Sequence, residues 1–361
     1  MKKILYFVLI LILITGTISV FAATPEEEVF NQLVNTLVGT MEADFSLLLD
    51  GLGQDIDPIL MQNAMVGQNV GMAELGSEKF DNFYFSILPT ISITAANGIF
   101  SFTDTQAYED SLVLKGMLDS FLFNEPDGLL SGLSNNSDIG DILINKVTPI
   151  PAFKMNAGFR LPADLEVLLH GMWIPDFLAS VIPEDALGEI PAPTFTYLNI
   201  GAEVRYVLLR DGDKTPGMSI GLAGAYNHLL LEMNVGSLLG DALGGAVGTV
   251  PDGMTNPFLD AGMKLESNTI VFGINTALSK KLAFFYPFIK IGAWYGISEF
   301  GGEVVLTETA TIEGGDGHNG LDLLASTGFD LMLGPFGSNV TIDYNLGTGI
   351  WGLNLGSRLQ F

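Results

Sequence analysis

The sequence predicts an all-β protein, a closed antiparallel transmembrane β-barrel of about ten strands with an N-terminal amphipathic helix and helical external loops. Three observations lead to this fold class. Long segments alternate apolar and polar residues with a period of two, which is typical of strands with one apolar face. The polar faces of these segments are rich in small residues. The links between the segments are alternately short and long, as in a sheet whose turns lie at one end and whose loops lie at the other.

The first 22 residues predict an export signal. Lys2 and Lys3 precede an apolar run at residues 4–14, and small residues ending at Ala22 indicate a cleavage site after that position. An uncleaved membrane anchor is the alternative. The chain has no cysteine, so a disulfide framework and lipid attachment through a thiol are excluded. An exported chain without thiols is consistent with a bacterial envelope protein.

The mature chain is strongly acidic. Loss of Lys2 and Lys3 leaves 13 basic residues against 41 acidic ones, a net charge of −28. Such a charge repels a phosphate backbone, so nucleic acid is not an expected partner. High acidity can indicate disorder, but 48% of the residues are apolar and only 16% are charged, which predicts a folded chain.

Residues 24–53 predict a helix ahead of the first strand, within an N-terminal segment at 23–81. Thr24 can cap the helix, Pro25 suits its first position and Glu27 completes a capping box. An apolar stripe at helical spacing is formed by Phe30, Leu33, Val34, Leu37, Val38, Met41, Phe45 and Leu48. Two placements are open: a helix on the membrane surface or under the barrel, and a plug inside the lumen.

The barrel itself is expected at residues 82–361. In 195–210, Leu198 and Ile200 represent the apolar face, while Glu203 and Arg205 represent the polar one. The expected strands lie at 82–95, 152–161, 164–175, 195–210, 217–231, 266–279, 282–300, 321–333, 338–347 and 349–361. Twelve strands are possible if 98–105 or 302–312 also pair.

Strands of this kind could also form a soluble sandwich, with the apolar faces packed together. A barrel is favoured because many strands reach the roughly 9–11 residues that cross a bilayer when tilted. Their polar faces carry Gly, Ala, Ser and Asn, where a sandwich exterior would carry Lys and Glu. Aromatic residues such as Phe195, Tyr197 and Phe300 also cluster near strand ends, as they do at membrane interfaces.

The last expected strand ends on alternating apolar residues, Trp351, Leu353, Leu355, Leu359 and Phe361. Because a barrel has no free edge, this strand is expected to close against the first one. The ending resembles the closing strand of Gram-negative outer-membrane barrels. That resemblance implies a bacterial outer-membrane location, with outer-membrane lipid and the barrel assembly machinery as partners. The layout of signal, helix, barrel and apolar loops resembles that of the FadL-type hydrophobic-compound transporters.

The long loops are unusually apolar for exposed segments. Residues 111–123, 176–187 and 231–246 each predict a short amphipathic helix. Either these helices pack on one another and cap the barrel, or they offer a binding site for a small hydrophobic molecule. In the second case the site would be lined by Leu112, Leu114, Met117, Phe121 and Phe123.

The inward-facing residues predict a narrow lumen. Glu203, Arg205, Lys290, Trp294 and Asp343 share the inward parity of their strands. Opposite charges among them are expected to pair across the interior and close it, which disfavours general diffusion.

No catalytic, cofactor or metal site is expected. His170 shares a strand face with Glu166, but four residues along a strand span about 13 Å, too far for a catalytic hydrogen bond. The acidic loop at 313–322 lacks the spacing of an EF-hand, so it is expected to be solvated and not to bind calcium. Two functions remain: a barrel that passes or binds small hydrophobic molecules, or an adhesin-like structural or interaction barrel with a closed lumen.

Replacing Phe361 with Asp should reduce barrel assembly more than the same change at the neighbouring Gln360. Parity directs Phe361 towards lipid and Gln360 towards the lumen, so only the first change places a charge against lipid. The folded fraction of each variant can be measured by heat-modifiable mobility on gels. Equal assembly of the two variants would contradict the expected parity.

Overall fold

The structure is a computed structural model that describes residues 26–66, 83–93, 105–111, 149–173, 194–236, 261–307, 310–315, 317–334 and 336–360. These ranges contain two helices, α1 (Glu26–Val66) and α2 (Gln106–Asp110). They also contain eleven strands: β1 (Phe83–Ile93), β2 (Pro149–Leu161), β3 (Leu165–Trp173), β4 (Thr194–Leu209), β5 (Gly217–Asn234), β6 (Gly262–Ser279), β7 (Phe285–Thr307), β8 (Ala310–Gly314), β9 (Gly317–Leu333), β10 (Phe336–Asn345) and β11 (Trp351–Gln360).

Ten of these strands form one continuous antiparallel ladder. The order is β6-β5-β4-β3-β2-β1-β11-β10-β9-β7, and β7 pairs in turn with β6. The last strand pairs with the first, from Tyr84 opposite Gln360 to Ile93 opposite Trp351. The prediction of an all-β antiparallel sheet of about ten strands is confirmed.

The remaining strand, β8, pairs with the C-terminal part of β7 and is not one of the ten strands of the ring. β8 pairs with the end of β7, from Gly302 opposite Gly314 to Thr307 opposite Ala310. The segment 302–312 therefore forms a hairpin beyond the main sheet and does not add a strand around it. Of the other candidate for an additional strand, 98–105, only Thr105 lies within the described residues. Thr105 caps α2, accepting a 3.3 Å hydrogen bond from the backbone N–H of Tyr108.

The strands have polar residues on their buried face and apolar residues on their exposed face. In β4, Leu198 and Ile200 are exposed, whereas Asn199 and Glu203 are fully buried. In β5, Leu222 is 66% exposed. This polarity is the reverse of that in a soluble sandwich, and it is the polarity that strands surrounded by lipid require. The predicted parity of β4, β7 and β10 is confirmed.

The short links lie together at one end of the sheet, called here the turn end, and the long links lie at the other, called the loop end. At the turn end, β2 and β3 are joined by the three-residue link 162–164, in which Ala163 and Asp164 have positive φ. The short link between β10 and β11 lies at the loop end. There the Asn345 side chain accepts hydrogen bonds from the backbone N–H groups of Gly347 and Thr348 at 2.9 and 3.2 Å.

α1 is longer than the sequence predicted. It continues from the expected end at 53 to Val66, through Gly53 and Pro58, two residues that usually weaken helices. At Gly53 an added Cβ would lie 2.8 Å from Phe300 Cδ1 on β7, so glycine allows the helix to lie against the sheet. Packing on the sheet thus outweighs weak local helix propensity. Within the described residues, neither helix combines the length and apolar character that a membrane crossing needs.

The described residues cover only a small part of the three segments that are predicted to form loop helices. Residues 112–123 and 176–187 lie outside the described residues. In the third segment, 231–246, the prediction of a helix is wrong for its first part, because residues 231–234 belong to β5. Backbone pairing with β6, with Glu232 opposite Lys264, continues the strand there.

α1 lies on the buried face of the sheet, against β6, β7 and β8 among others. The side chain of Leu49 fills the space left by two glycines, Gly302 on β7 and Gly314 on β8. A Cβ at Gly314 would lie 3.3 Å from the Cβ of Leu49.

That distance predicts a disulfide in the variant carrying Leu49→Cys and Gly314→Cys, because bridged Cβ atoms lie about 3.5–4.5 Å apart. The natural chain has no cysteine, so no other thiol competes. Oxidation of the folded protein should shift its mobility on non-reducing gels. A matched control pairs Leu49→Cys with Asn319→Cys, an exposed position on the outer face of β9. Equal crosslinking of the two pairs, or none in the first, would contradict this helix position.

Candidate functional site

The interior of the barrel is occupied from the loop end by α1. Along β7, moving away from the loop end, contacts with the helix pass from Gly302 beside Leu49, through Phe300 beside Gly53, to Gly296 beside Met61. The C-terminal end of the helix therefore lies furthest from the loop end.

At the loop end, the strands extend beyond the apolar part of their outer face. On β7 the outer face is apolar up to Ile297 and then carries Glu299 and Glu303, while β5 and β6 carry Glu232 and Glu266 at the same end. The inner side of this part is apolar and buried, with Leu265, Phe300, Val304, Leu306 and Ile312. The middle of α1 supplies buried residues to the same region, Met41, Phe45, Leu48, Leu49 and Leu52. This stretch of the helix is held by apolar packing.

The C-terminal part of α1 is held by polar contacts as well. Ser267 Oγ on β6 donates a 3.1 Å hydrogen bond to Asp57 Oδ1. Asn227 Nδ2 on β5 donates to the backbone carbonyl of Leu60. Asn227 Oδ1 accepts from Asn199 and, at 3.3 Å, from Tyr197. These contacts fix the helix on either side of Pro58, which lacks a backbone N–H.

The innermost turn of α1 packs into an apolar layer. The buried residues in contact there are Met61, Ala64, Met65, Ala223, Ala225, Val271, Trp294 and Leu324. A side chain at Gly296 would collide with Met61, so the glycine makes room for the methionine. Small wall residues and long helix residues pack together at this level against β5, β6, β7 and β9.

Charged residues form a second layer, also buried. Arg205 Nε donates to Glu166 Oε2 at 3.0 Å, and both side chains are 0% exposed. Lys290 Nζ on β7 donates to Glu203 Oε2 on β4 at 3.1 Å. β4 and β7 are not neighbours in the ladder, so this ion pair joins separate parts of the wall.

Further polar contacts extend this layer to the strands on the other side. Lys154 on β2 is completely buried, and its charge interacts favourably with Asp343 on β10. Asp343 accepts from Asn354 Nδ2 on β11, and Asp330 accepts from Asn339 Nδ2 at 2.8 Å. These contacts continue the buried polar layer across β2, β9, β10 and β11.

All five residues proposed for the lumen, Glu203, Arg205, Lys290, Trp294 and Asp343, are buried on the inner face. Sequence reasoning did not identify Lys154 or the asparagines Asn199 and Asn227. Inward parity could have identified Lys154 within the expected strand at 152–161. The partners of these side chains lie on strands that are distant in sequence, so no local pattern indicates them.

The remaining predicted residues are placed as follows. On β11, Trp351 and Leu355 are exposed and Leu353 is half-buried, while the side chain of Leu359 and all of Phe361 lie outside the described residues. The five proposed ligand-binding residues, Leu112, Leu114, Met117, Phe121 and Phe123, also lie outside them.

No catalytic constellation is assembled around His170 within the described residues. Its Nε2 shares a 2.7 Å hydrogen bond with Asn199 Oδ1, whereas Glu166 binds Arg205. In the acidic segment, Glu313 is exposed on β8 and Asp322 is buried on β9 opposite Trp294. Across the described part of the chain, no three His, Cys, Asp or Glu side chains are grouped as a metal site.

Two open grooves lie at the loop end of the wall. One, of about 440 Å³, is lined among others by Glu232, Met233, Met263, Lys264 and Glu303. The other, of about 380 Å³, adjoins it at Lys264 and Glu303. Both are lined by polar as well as apolar atoms, so neither resembles an apolar ligand pocket.

No protein-family model matches the chain, and neither does any curated protein sequence. Among solved structures, it is similar to the outer membrane protease OmpT from Escherichia coli, with a TM-score of 0.37 and 9% identity over 80% of this chain and 100% of that one. It is similar to the translocator domain of the autotransporter NalP from Neisseria meningitidis, with a TM-score of 0.38 and 6% identity over 86% and 96%. A mutant of the TodX monoaromatic hydrocarbon channel matches with a TM-score of 0.30 and 9% identity over 77% and 67%. Similarity at this level assigns no activity, substrate or partner to this chain.

Replacing Arg205 with Met should lower the free energy of unfolding by about 3–5 kcal/mol, because Glu166 would keep a buried charge without its partner. Thermal unfolding in detergent, followed by gel mobility or circular dichroism, measures the loss. Replacing Arg210 with Met is a matched control, since Arg210 is 64% exposed and its pair with Asp164 contributes at most about 1 kcal/mol. Adding Glu166→Gln to Arg205→Met should restore part of the stability. Equal stability of the two single variants would contradict a buried ion pair.

Proposed function

We propose that this protein is an outer-membrane β-barrel that α1 closes at rest, and that small molecules pass when the end of α1 leaves the interior. The observation that carries this proposal is the position of Met61, which packs on Trp294 and fills the space over Gly296 inside the ladder of strands. A helix at that level obstructs any continuous passage.

The outer-membrane location is supported by the polarity of the strands and by the predicted export signal. Exposed apolar faces and buried charges are stable together only when lipid surrounds the wall. In barrels of this kind the short turns are periplasmic and the long loops external. The N-terminal part of α1 and the acidic wall would then lie on the outer side.

Passage that depends on movement of α1 is supported by the position of Pro58 near its inner end. The stretch from Met41 to Leu52 covers an apolar wall, and removing it would expose that wall to water. The eight residues after Pro58 are held by the hydrogen bond from Asn227 to the Leu60 carbonyl and by packing around Met61. Pro58 breaks the hydrogen-bond ladder of the helix, so this short inner end is the part expected to move.

A small hydrophobic molecule as the cargo stays a prediction for the loop end, where Leu112, Leu114, Met117, Phe121 and Phe123 would bind it. The described interior supports binding of such a molecule at the loop end alone. Its apolar region at the loop end is covered by α1, and the layer beyond Met61 is polar. An apolar molecule would therefore be held at the loop end before any passage.

A second candidate is an interaction barrel with a permanently closed lumen. It is favoured by the acidic residues on the wall beyond the apolar band, Glu232, Glu266, Glu299, Glu303 and Glu313. A wall of this charge would attract a cationic partner in preference to an anionic one.

Conductance in planar bilayers should distinguish the two candidates in a variant with Met61→Cys and Gly296→Cys. A sulfur at the position of Met61 Cγ would lie 3.5 Å from a Cβ at residue 296, close to disulfide geometry. We expect a low baseline with brief openings under voltage for the wild type and the reduced variant. Oxidation should abolish the openings, because it ties the inner end of α1 to the wall.

The single variant Met61→Cys is the control for loss of the methionine itself, and its openings should not respond to oxidant. Openings that persist in the oxidised double variant would contradict gating by α1. A complete lack of openings in every form would favour the interaction barrel.

A further inference from the structure

We infer that a hydrophilic compartment lies directly next to Met61 and Trp294, towards the turn end, and that it takes small hydrated ions, with Glu203, Asn275 and Lys290 in contact with them. This inference rests on the proposed function only for the passage of ions. The existence of the compartment can be tested separately.

The first observation is a set of buried polar atoms without partners. Among the described residues, neither Oδ1 nor Nδ2 of Asn275 has a hydrogen-bond partner, and neither do Glu203 Oε1 and Ser219 Oγ. All three residues are at most 2% exposed. Buried polar groups in native proteins are almost always hydrogen-bonded, so atoms of this kind indicate contact with water or a polar solute.

The second observation is that the Asn275 and Glu203 atoms border one region. A Cβ at Gly221 would lie 3.1 Å from Asn275 Oδ1 and would collide with Glu203 Oε1. A Cβ at Gly292 would lie 3.1 Å from Asn275 Cβ and 2.7 Å from Trp294 Nε1. Two inward-facing glycines thus form the wall beside Glu203, Asn275 and the indole N–H of Trp294.

The chemistry of this region suits small ions and their water. Asn275 can donate and accept hydrogen bonds, and Glu203 uses one oxygen for Lys290 while the other faces the compartment. Both signs of charge are present, so cations and anions each find a complementary group. An apolar molecule would leave these groups without partners, which makes it a poor occupant.

The apolar layer separates this compartment from the loop end. Trp294 belongs both to the layer around Met61 and to the border of the compartment. Movement of Met61 would therefore connect the compartment with the outer side. Lys290 and Glu203 would then be the charged pair that passing ions meet first.

Cysteine accessibility tests the compartment without any need for conductance. Asn275→Cys should react with a small cationic methanethiosulfonate reagent in the folded, vesicle-reconstituted protein, because water reaches residue 275. Ile274→Cys is the matched control, since the neighbouring residue faces lipid and should not react. Reaction of neither thiol, with both variants folded, would overturn the inference and leave gating by α1 intact.

Ion selectivity tests the role of the compartment in passage. Asn275→Asp adds a negative charge beside Glu203, so the reversal potential of the openings in a potassium chloride gradient should shift towards that of potassium. Asn319→Asp makes the same chemical change on the exposed outer face and should cause no shift. An equal shift in both variants, or none in either, would overturn the assignment of ions to this compartment. Reaction of the Asn275→Cys thiol in a protein that shows no openings would instead contradict the proposed function and leave the compartment standing.

Discussion

A strand surrounded by lipid must find a hydrogen-bonding partner on both sides, because the membrane core offers no water to its backbone. The circular pairing of ten strands meets this constraint, and β7 contacts both β6 and β9 to complete it. The same constraint decides the polarity of each strand. Apolar side chains face outward, and every second residue is forced into an interior that must then be filled or hydrated.

The interior is filled in two different ways at two levels. Towards the loop end, apolar side chains of α1 meet apolar wall residues and small ones such as Gly302 and Gly314. Further in, ion pairs such as Arg205–Glu166 and Lys290–Glu203 occupy the space. Buried ion pairs are costly to break and contribute little net stability, so their value here lies in holding a defined arrangement inside a narrow barrel.

This division between levels limits what the barrel can carry. Removing α1 from the loop end would uncover the apolar wall there, and withdrawing its inner turn would uncover the apolar layer around Trp294. The hydrogen bond from Asn227 to the carbonyl of Leu60 could be replaced by one to a water molecule with little loss. Movement of the inner turn alone therefore uncovers less apolar surface than withdrawal of the whole helix, and solutes that pass this layer meet a polar surface.

The sequence by itself determined the strands, their parity and their approximate number, because alternation with a period of two is a local property that each strand carries alone. Inward parity alone also identified Glu203, Arg205, Lys290, Trp294 and Asp343 as lumen residues. Only the tertiary structure decided which of these side chains meet, since Lys290 and Glu203 are 87 residues apart in the chain. It also decided that α1 continues past Gly53 and Pro58 along the buried face of the sheet. Local propensity predicts an end at 53, and the space that Gly296 leaves for Met61 on a distant strand allows the helix to continue.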